Sequence, residues 1–235
     1  MRDSYERFFS EGYISKEQFF DFGIRETIYA PIEKAKEGWE ELKHRIKNNG
    51  PVYMRGFGRN SNGSHLFQEF YSQVLGNANV KIDPTNNKEP TTVIRDMTGY
   101  SKVKSSKHEP IRNYQVSHIF GRTKNIFLFT APWNIVYLPK MIDPFTGHEA
   151  KGDLINEYQT MFQQKSYAHF EPLIADYNQI VSASDFQTRI DTYLEKISSS
   201  NRYPQADIDK LIKSVREELS PISSSGEYAK NSEEK

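Results

Sequence analysis

Three side chains in the middle of the chain, His118, Asn134 and His148, are of the types that hydrolyse a phosphodiester bond. Histidine suits the base that activates water, because its ordinary pKa of about 6.5 leaves it neutral and able to accept a proton near pH 7. Asn134, 16 positions after His118, could orient the loop beside the base through its amide, or bind a hard cation through its carbonyl oxygen. The imidazole of His148, 14 positions further on, is suited to binding a metal ion.

Two predicted strands and a turn must position these side chains. The segments NYQVSHIF and WNIVYLP are rich in aromatic and branched residues, which favour β-strands. If the two strands pair, Asn134 lies beside His118. The segment DPFTGHEAKGD then predicts a turn into a helix, with His148 close to its start. These segments occupy residues 113–120, 133–139 and 143–153.

The order of His118, Asn134 and His148 on a strand, a second strand and a following helical segment resembles the His-Asn-His (HNH) or ββα-metal nuclease family, over roughly 35 of the 235 residues. The resemblance implies that His118 is the general base, that Asn134 holds the base loop or binds metal, and that His148 is a metal ligand. It also implies Mg²⁺ or another divalent cation as cofactor, and DNA, or else RNA, as substrate. Ser117 stands where many members carry Asp or His as a second metal ligand, and a chain without cysteine has no zinc knuckle.

Many members of that family belong to restriction, homing or phage systems, so the resemblance implies a restriction-type endonuclease whose flanking regions recognise the target. A homodimer would place one site on each strand of a palindrome. The competing interpretation is a nucleic-acid-binding domain without catalysis, in which the hairpin is only core. A third interpretation is a structural helical protein that has no affinity for nucleic acid.

The charge pattern favours nucleic-acid contact by one segment. Residues 101–124 carry six basic side chains against one acidic side chain, Glu109, whereas residues 153–235 carry 14 acidic and nine basic ones. Because Lys and Arg that neutralise phosphates release counterions, the basic segment is a candidate DNA-binding surface. The same pattern is also typical of a solvated loop. The six candidates are Lys102, Lys104, Lys107, Arg112, Arg122 and Lys124.

Overall composition restricts the class of protein further. The 31 basic and 31 acidic residues cancel, so the whole chain has no net attraction to nucleic acid or to an anionic membrane. The absence of cysteine excludes disulfides and thiolate zinc sites and agrees with a reducing compartment. The start of the sequence is charged and no apolar run reaches the roughly 18 residues of a membrane span, so we expect a cytoplasmic protein with no membrane partner.

Hydrophobic periodicity predicts an α+β fold, with helical N- and C-terminal regions around a central ββα-metal-like hairpin and helix. Apolar residues at helical spacing predict helices before residue 50, from about 66 to a stop at Gly76, and after about 153. Short apolar runs between Gly, Pro and Asn predict strands and loops elsewhere. The predicted regions are 1–50 (helical), 51–152 (α+β, with the ββα-like motif at about 113–152), 153–220 (helical) and 221–235 (a disordered tail).

Local signals predict where several elements begin. Ser15 and Gln18 have the spacing of a helix capping box, and so do Ser184 and Gln187. The apolar run at residues 52–57 predicts a strand.

Overall fold

The computed structural model describes residues 2–56, 63–147, 150–200 and 202–225, and their mixture of helices and short strands confirms the predicted α+β class. The helices are α1 (Ser4–Ser10), α2 (Lys16–Arg25), α3 (Ile32–Lys47), α4 (Ser64–Leu75), α5 (Lys88–Thr98), α6 (Asp153–Ser182), α7 (Ser184–Ser198) and α8 (Gln205–Glu218). The strands are β1 (Ile28–Tyr29), β2 (Val52–Met54), β3 (Val80–Ile82), β4 (Tyr100–Ser101), β5 (Glu109–Pro110), β6 (Tyr114–His118) and β7 (Ile135–Pro139). Of these helices, none has both the length and the apolar composition needed to cross a bilayer.

The N-terminal helices form where the sequence predicts them. The Ser15 hydroxyl accepts a hydrogen bond from the Gln18 amide at 3.1 Å, and the Gln18 side chain accepts one from the Ser15 amide at 3.0 Å. This reciprocal pair confirms the predicted capping box of α2. One face of α3 is buried, because its apolar residues recur every three or four positions. That face consists of Ala35, Trp39, Leu42 and Ile46.

A three-stranded antiparallel sheet in the order β1-β7-β6 contains the predicted hairpin. Tyr114 pairs with Pro139 and His118 with Ile135, so the two predicted strands do pair. All five residues of β7 are buried, as expected for the central strand of the sheet. The sequence did not indicate β1, because a strand of two residues is too short to produce an alternating pattern.

The region between α3 and the hairpin matches the prediction in part. Helix α4 ends where Gly76 adopts a left-handed φ of 69°, which confirms the predicted stop. The strand predicted at 52–57 is shorter, because β2 ends at Met54, and Phe57 lies outside the described residues. β2 pairs in parallel with β3, and β4 with β5. After β3 the buried Asp83 carboxylate accepts hydrogen bonds from three amides, and these bonds hold the start of α5.

Three helices complete the core on the C-terminal side. Helix α6 is kinked at Phe170 (φ −118°, ψ 22°), because Pro172 lacks a main-chain donor and its ring crowds the preceding turn. The predicted capping box at Ser184 is wrong: Ala183 is the N-cap of α7, and the Gln187 side chain donates to the Val181 carbonyl instead. A single residue separates α6 from α7, so α7 begins too early for Ser184 to cap it. Buried residues from all the predicted regions form one hydrophobic core.

The end of the described chain corrects the predicted start of the tail. Ile222 is 2% exposed, so its side chain belongs to the core. Its amide donates to the Asn178 side chain at 2.7 Å, and its carbonyl accepts from the same side chain at 2.9 Å. Because the segment after residue 220 is mostly polar, its composition did not indicate that Ile222 is buried. Residues 226–235 of the predicted tail lie outside the described residues.

Candidate active site

The two predicted site residues of the hairpin lie next to each other. His118 is the last residue of β6, and Asn134 immediately precedes β7. The Ile119 amide donates to the Asn134 carbonyl at 2.9 Å and closes residues 119–134 into a loop, called the hairpin loop below. The structure therefore brings His118 and Asn134 together.

Hydrogen bonding fixes the His118 ring in one tautomer. Its Nε2 lies 2.9 Å from the Phe129 carbonyl oxygen. Since a carbonyl oxygen can only accept, Nε2 carries the proton and Nδ1 carries the lone pair. The Phe129 ring stacks on the imidazole with 5.4 Å between the ring centroids. His118 thus has an oriented ring and one nitrogen that can take a proton.

The surroundings of His118 keep its ring neutral. The pKa of His118 is lowered to about 4, mainly by burial and to a smaller extent by the Arg55 cation. The Phe129 carbonyl and the Asp83 carboxylate act in the opposite direction and raise it. The ring is therefore uncharged at neutral pH. A base with so low a pKa accepts a proton from water more readily when a nearby cation acidifies that water.

The Asn134 side chain holds the hairpin loop from the inside. It is fully buried, and its Oδ1 accepts a hydrogen bond from the Phe120 amide at 3.0 Å. Its Nδ2 donates to the Leu128 carbonyl at 3.1 Å and to the Gly121 carbonyl at 3.5 Å. Of the two roles that the sequence leaves open, this geometry favours holding the loop. Binding a cation would have to use the second lone pair of a buried oxygen that already has one partner.

Residues 218–222, called the C-terminal clamp below, hold the hairpin loop from the outside. Asn125 donates through Nδ2 to the Glu218 carbonyl at 2.7 Å and to the Tyr177 hydroxyl at 2.9 Å. Arg122 donates from its guanidinium to two main-chain carbonyls of the clamp. The loop that carries the Phe129 carbonyl is thus held by contacts with α6, with α8 and with the segment after α8.

Two of the six predicted DNA-binding residues take part in these contacts. The guanidinium of Arg122 is bonded to the C-terminal clamp, and the residue adopts a left-handed φ of 50°. The Lys124 amide donates to Glu218 Oε2 at 3.0 Å, and the Lys124 ammonium lies 3.8 Å from Glu218 Oε1. Both cations therefore have partners within the protein, and their contact with DNA stays a prediction.

The remaining four predicted DNA-binding residues are exposed near the other end of the hairpin, and Lys140 joins them. The Lys140 amide donates to the Asn113 carbonyl at 2.8 Å. Burial lowers the pKa of Lys102, the Lys140 charge lowers it further, and Asp143 raises it. Neighbouring like charges repel, and an anion between them would relieve the repulsion. The exposed cations, called the basic face below, are Lys102, Lys104, Lys107, Arg112 and Lys140.

Helix α6 contributes two buried glutamines that sequence reasoning missed. Gln163 Nε2 donates to the Ile119 carbonyl and Gln159 Nε2 to the Gly147 carbonyl, each at 3.1 Å. The signal that could have found them is a polar pair spaced by four residues on the apolar face of a helix.

The predicted metal ligand His148 lies outside the described residues, as does Glu149. Within the described ranges, no three His, Asp or Glu side chains lie close enough together to hold a metal ion. Oxygen donors are nevertheless present before His148: the Ser117 and Thr146 hydroxyl oxygens lie 3.4 Å apart. Gln159 Oε1 is a buried acceptor with no partner among the described residues.

Comparison with known proteins assigns the chain to a family. The family model described as "Uncharacterised protein PM1201" matches residues 30–224. "Uncharacterized protein PM1201" of Pasteurella multocida (strain Pm70) is 41% identical over 222 residues, which cover 94% of this chain and 97% of the relative. No solved structure matches the chain. Because the matched residues include the hairpin, its loop and the whole of every helix from α3 to α8, the chain belongs to the PM1201 family.

Proposed function

We propose that this protein is a metal-dependent endonuclease of the HNH type that hydrolyses DNA, with His118 as the general base. The observation that carries the proposal is the hydrogen bond from His118 Nε2 to the Phe129 carbonyl, which leaves Nδ1 to take a proton from water. Burial supports the same role, because it keeps the ring neutral. The adjacency of His118 and Asn134 at the loop end of a paired hairpin supports the resemblance to a ββα-metal site.

Each residue of the proposed site has one task. His118 removes the proton from the attacking water, and Asn134 keeps the hairpin loop, and with it the Phe129 carbonyl, in place. His148 is the proposed protein ligand of the cation. Mg²⁺ or another divalent cation, when bound, stabilises negative charge on the phosphate and on the leaving oxygen.

The basic face would contact the DNA backbone away from the cleaved bond. It lies beyond the Tyr114 end of β6, whereas His118 lies at the opposite end. The strand between them spans roughly 13 Å at about 3.3 Å per residue. Successive phosphates of one DNA strand advance by about 3.4 Å along the helix axis, so on a duplex whose axis runs parallel to β6 the contacts would fall about four nucleotides from the cleaved bond.

Three parts of the proposal rest on the resemblance alone: the use of the enzyme in a restriction system, a homodimer that cuts both strands, and DNA rather than RNA as substrate. A cytoplasmic location rests on composition alone. Gel filtration with light scattering would test the homodimer, and a parallel assay on structured RNA would test the substrate.

The direct test is cleavage of plasmid DNA, modified and unmodified, by the full chain with Mg²⁺ or Mn²⁺ and with a chelator. We expect metal-dependent nicking or cutting that His118→Ala lowers by at least about 100-fold. The matched control is His44→Ala, because His44 is exposed on α3 and should leave the rate unchanged. Cleavage by His118→Ala at the wild-type rate would overturn the assignment of the base, and no cleavage of any DNA would overturn the nuclease.

The second candidate is a non-catalytic nucleic-acid-binding protein. The crowding of Lys102 and Lys140 on the basic face favours it, since this observation requires no chemistry. Tight, salt-sensitive DNA binding without metal-dependent cleavage would support this candidate over the nuclease.

A further inference from the structure

Two apolar side chains are exposed on the basic face. Among the described residues, six large apolar side chains are exposed to solvent, and two of them, Val103 and Met141, stand directly beside cations of this face. Val103 lies between Lys102 and Lys104 in the sequence, and Met141 follows Lys140. Single exposed apolar residues are normal on protein surfaces, so the question is whether these two share a surface.

Main-chain hydrogen bonds bring the segments of the basic face together. The Ile111 amide donates to the Ser101 carbonyl at 2.9 Å, and the Lys140 amide donates to the Asn113 carbonyl at 2.8 Å. Burial and the Lys140 charge lower the pKa of Lys102, as expected for two ammonium groups that lie near each other. One surface therefore carries both apolar side chains, and it is formed by residues 101–104, 111–113 and 139–141.

Tight turns hold both apolar side chains outward. Met141 is 56% exposed on a turn closed by a 2.9 Å hydrogen bond from the Ile142 amide to the Pro139 carbonyl, whereas the Ile142 side chain is fully buried. Val103 is 70% exposed, and its amide and carbonyl both bond to the hydroxyl of Ser101, which is 2% exposed. The two side chains thus face solvent from a fixed backbone and need no rearrangement to reach a partner.

Charge indicates which kind of partner covers this surface. Residues 101–113 and 139–143 carry five Lys and Arg side chains against two acidic ones, Glu109 and Asp143, which favours an anionic partner. Two apolar side chains are too few to anchor a protein in a bilayer, because anchoring takes a larger apolar face. DNA is polyanionic and has an apolar interior between its stacked base pairs, and one side chain is enough to enter it.

We propose that Met141 is a wedge that enters DNA between two stacked base pairs while the basic face holds the flanking phosphates. Met141 enters from the minor groove, where apolar wedges of this kind unstack one base step and bend the duplex. Its unbranched thioether side chain adapts to the gap between the bases, and Val103 packs against the sugars beside it. The inference rests on the DNA contact of the basic face in the proposed function, and it adds a bend in the substrate.

The wedge gives the protein a sequence preference that needs no hydrogen bond to a base. Pyrimidine–purine steps such as TA unstack more easily than other steps, so insertion of a side chain there costs less free energy. We therefore expect tighter binding to DNA in which a TA step meets the basic face. Met141 would then determine part of the specificity of the proposed nuclease.

The test uses the full chain with a chelator, so that DNA binding is measured without cleavage. Duplexes with a fluorescent donor and acceptor at their ends report bending, and 2-aminopurine in the TA steps brightens when it unstacks. We expect the wild-type chain to bend a duplex with several TA steps by about 20° or more. A duplex with one all-purine strand contains no pyrimidine–purine step, and the chain should bind it at least about threefold more weakly.

Substitutions of Met141 separate the wedge from the charge. Met141→Ala should remove most of the bend and of the 2-aminopurine signal and should weaken binding by about tenfold, because the apolar contact between the bases is lost. The slope of log affinity against log salt should not change, since no charge is removed. Met141→Leu should restore the bend, whereas Met141→Gln keeps the length of the side chain but is polar and should lose the bend.

Two controls complete the comparison. Lys102→Ala should do the reverse of Met141→Ala, because it should lower the salt slope by about one and keep the bend. Tyr13→Ala removes a side chain that is 82% exposed in the loop between α1 and α2, and it should change neither the bend nor the affinity. Circular dichroism and thermal melting check that each variant folds.

The outcomes separate this inference from the proposed function. Straight DNA in the wild-type complex, or a normal bend with Met141→Ala, would overturn the wedge and leave the nuclease to its cleavage test. Binding to vesicles of phosphatidylcholine and phosphatidylserine that Met141→Ala abolishes, without binding to DNA, would overturn both the wedge and the DNA contact of the basic face. A bend that depends on Met141, in a chain that cuts no DNA, would keep the wedge and end the nuclease proposal.

Discussion

Two loops from the same basic stretch of sequence are held in opposite ways. The hairpin loop is bonded on the inside by Asn134 and on the outside by the C-terminal clamp. The loop at residues 102–108 has mostly local contacts, such as the 3.1 Å hydrogen bond from the Lys107 amide to the Ser105 hydroxyl. The difference teaches that distant acceptors, and not local charge, decide whether a cation of this segment stabilises the fold or faces solvent.

The largest effect should come from removing the inner support of the hairpin loop. Asn134→Ala leaves the Phe120 amide buried without a partner and leaves the Leu128 carbonyl with only the Ala131 amide, so we expect the free energy of unfolding to fall by about 2–3 kcal/mol. Urea unfolding measures this loss. As a control, Asn48→Ala removes one exposed hydrogen bond to the His44 carbonyl and should cost under about 1 kcal/mol. Equal losses in the two variants would contradict the special place of Asn134.

Next in size is the loss of the outer support. Arg122→Lys keeps the charge but loses the forked donor that reaches two carbonyls of the C-terminal clamp, so we expect a loss of about 1–2 kcal/mol in unfolding free energy. Arg112→Lys on the basic face should change stability by less than about 0.5 kcal/mol. The same urea experiment distinguishes them. If Arg112→Lys lowered the unfolding free energy as much as Arg122→Lys does, the contrast between the two loops would be contradicted.

A smaller effect should appear at Glu218 and should depend on pH. Burial raises the pKa of Glu218 to about 7, although Lys124 and Arg122 lower it. Its carboxyl ionises near 4.5 in the unfolded chain, so its contribution to stability is present below that pH and is lost as the pH rises through 7. Glu218→Gln should therefore stabilise the protein by about 1 kcal/mol at pH 8, after the lost attraction to Lys124 is subtracted, and by less at pH 5. Thermal melting at both pH values tests the sign, and a gain that is larger at pH 5 would refute it.

The smallest effect on stability, and the largest on DNA binding, should come from the loop at residues 102–108. Replacing its three lysines with alanine should change unfolding free energy by less than about 0.5 kcal/mol. The slope of log affinity against log salt should fall by about three, since each lysine releases about one counterion from DNA. Fluorescence anisotropy over a salt series measures the slope, and an unchanged slope would contradict the basic face. The test variant is Lys102/Lys104/Lys107→Ala, and the control with three exposed lysines elsewhere is Lys165/Lys196/Lys213→Ala.

The sequence predicted those structural features that arise from interactions between residues close together in the chain. The buried face of α3, the capping box at Ser15 and the stop at Gly76 each arise from residues within one or two turns, so periodicity and helix-end signals suffice. The two hairpin strands were also predicted, because each is a short run of aromatic and branched residues, but their pairing was only a condition and the register of His118 with Ile135 was not predicted.

The sequence did not predict contacts between distant segments. Strand β1 forms only because β7 lies beside it, and its two residues carry no pattern of their own. The partners of Arg122 lie 98 and 99 positions away, so nothing near that residue distinguishes it from Lys104. The roles of Gln159 and Gln163 likewise depend on carbonyl groups, which every residue possesses and no sequence marks.

The C-terminal clamp also orders events during protein synthesis. Asn125 and its acceptor Glu218 are 93 positions apart, so at about 5–20 residues per second the acceptor is made roughly 5–19 s after the loop. During that interval the nascent hairpin loop lacks its outer partners on the ribosome. Any activity that depends on the clamped loop therefore starts only after the clamp has emerged from the ribosome.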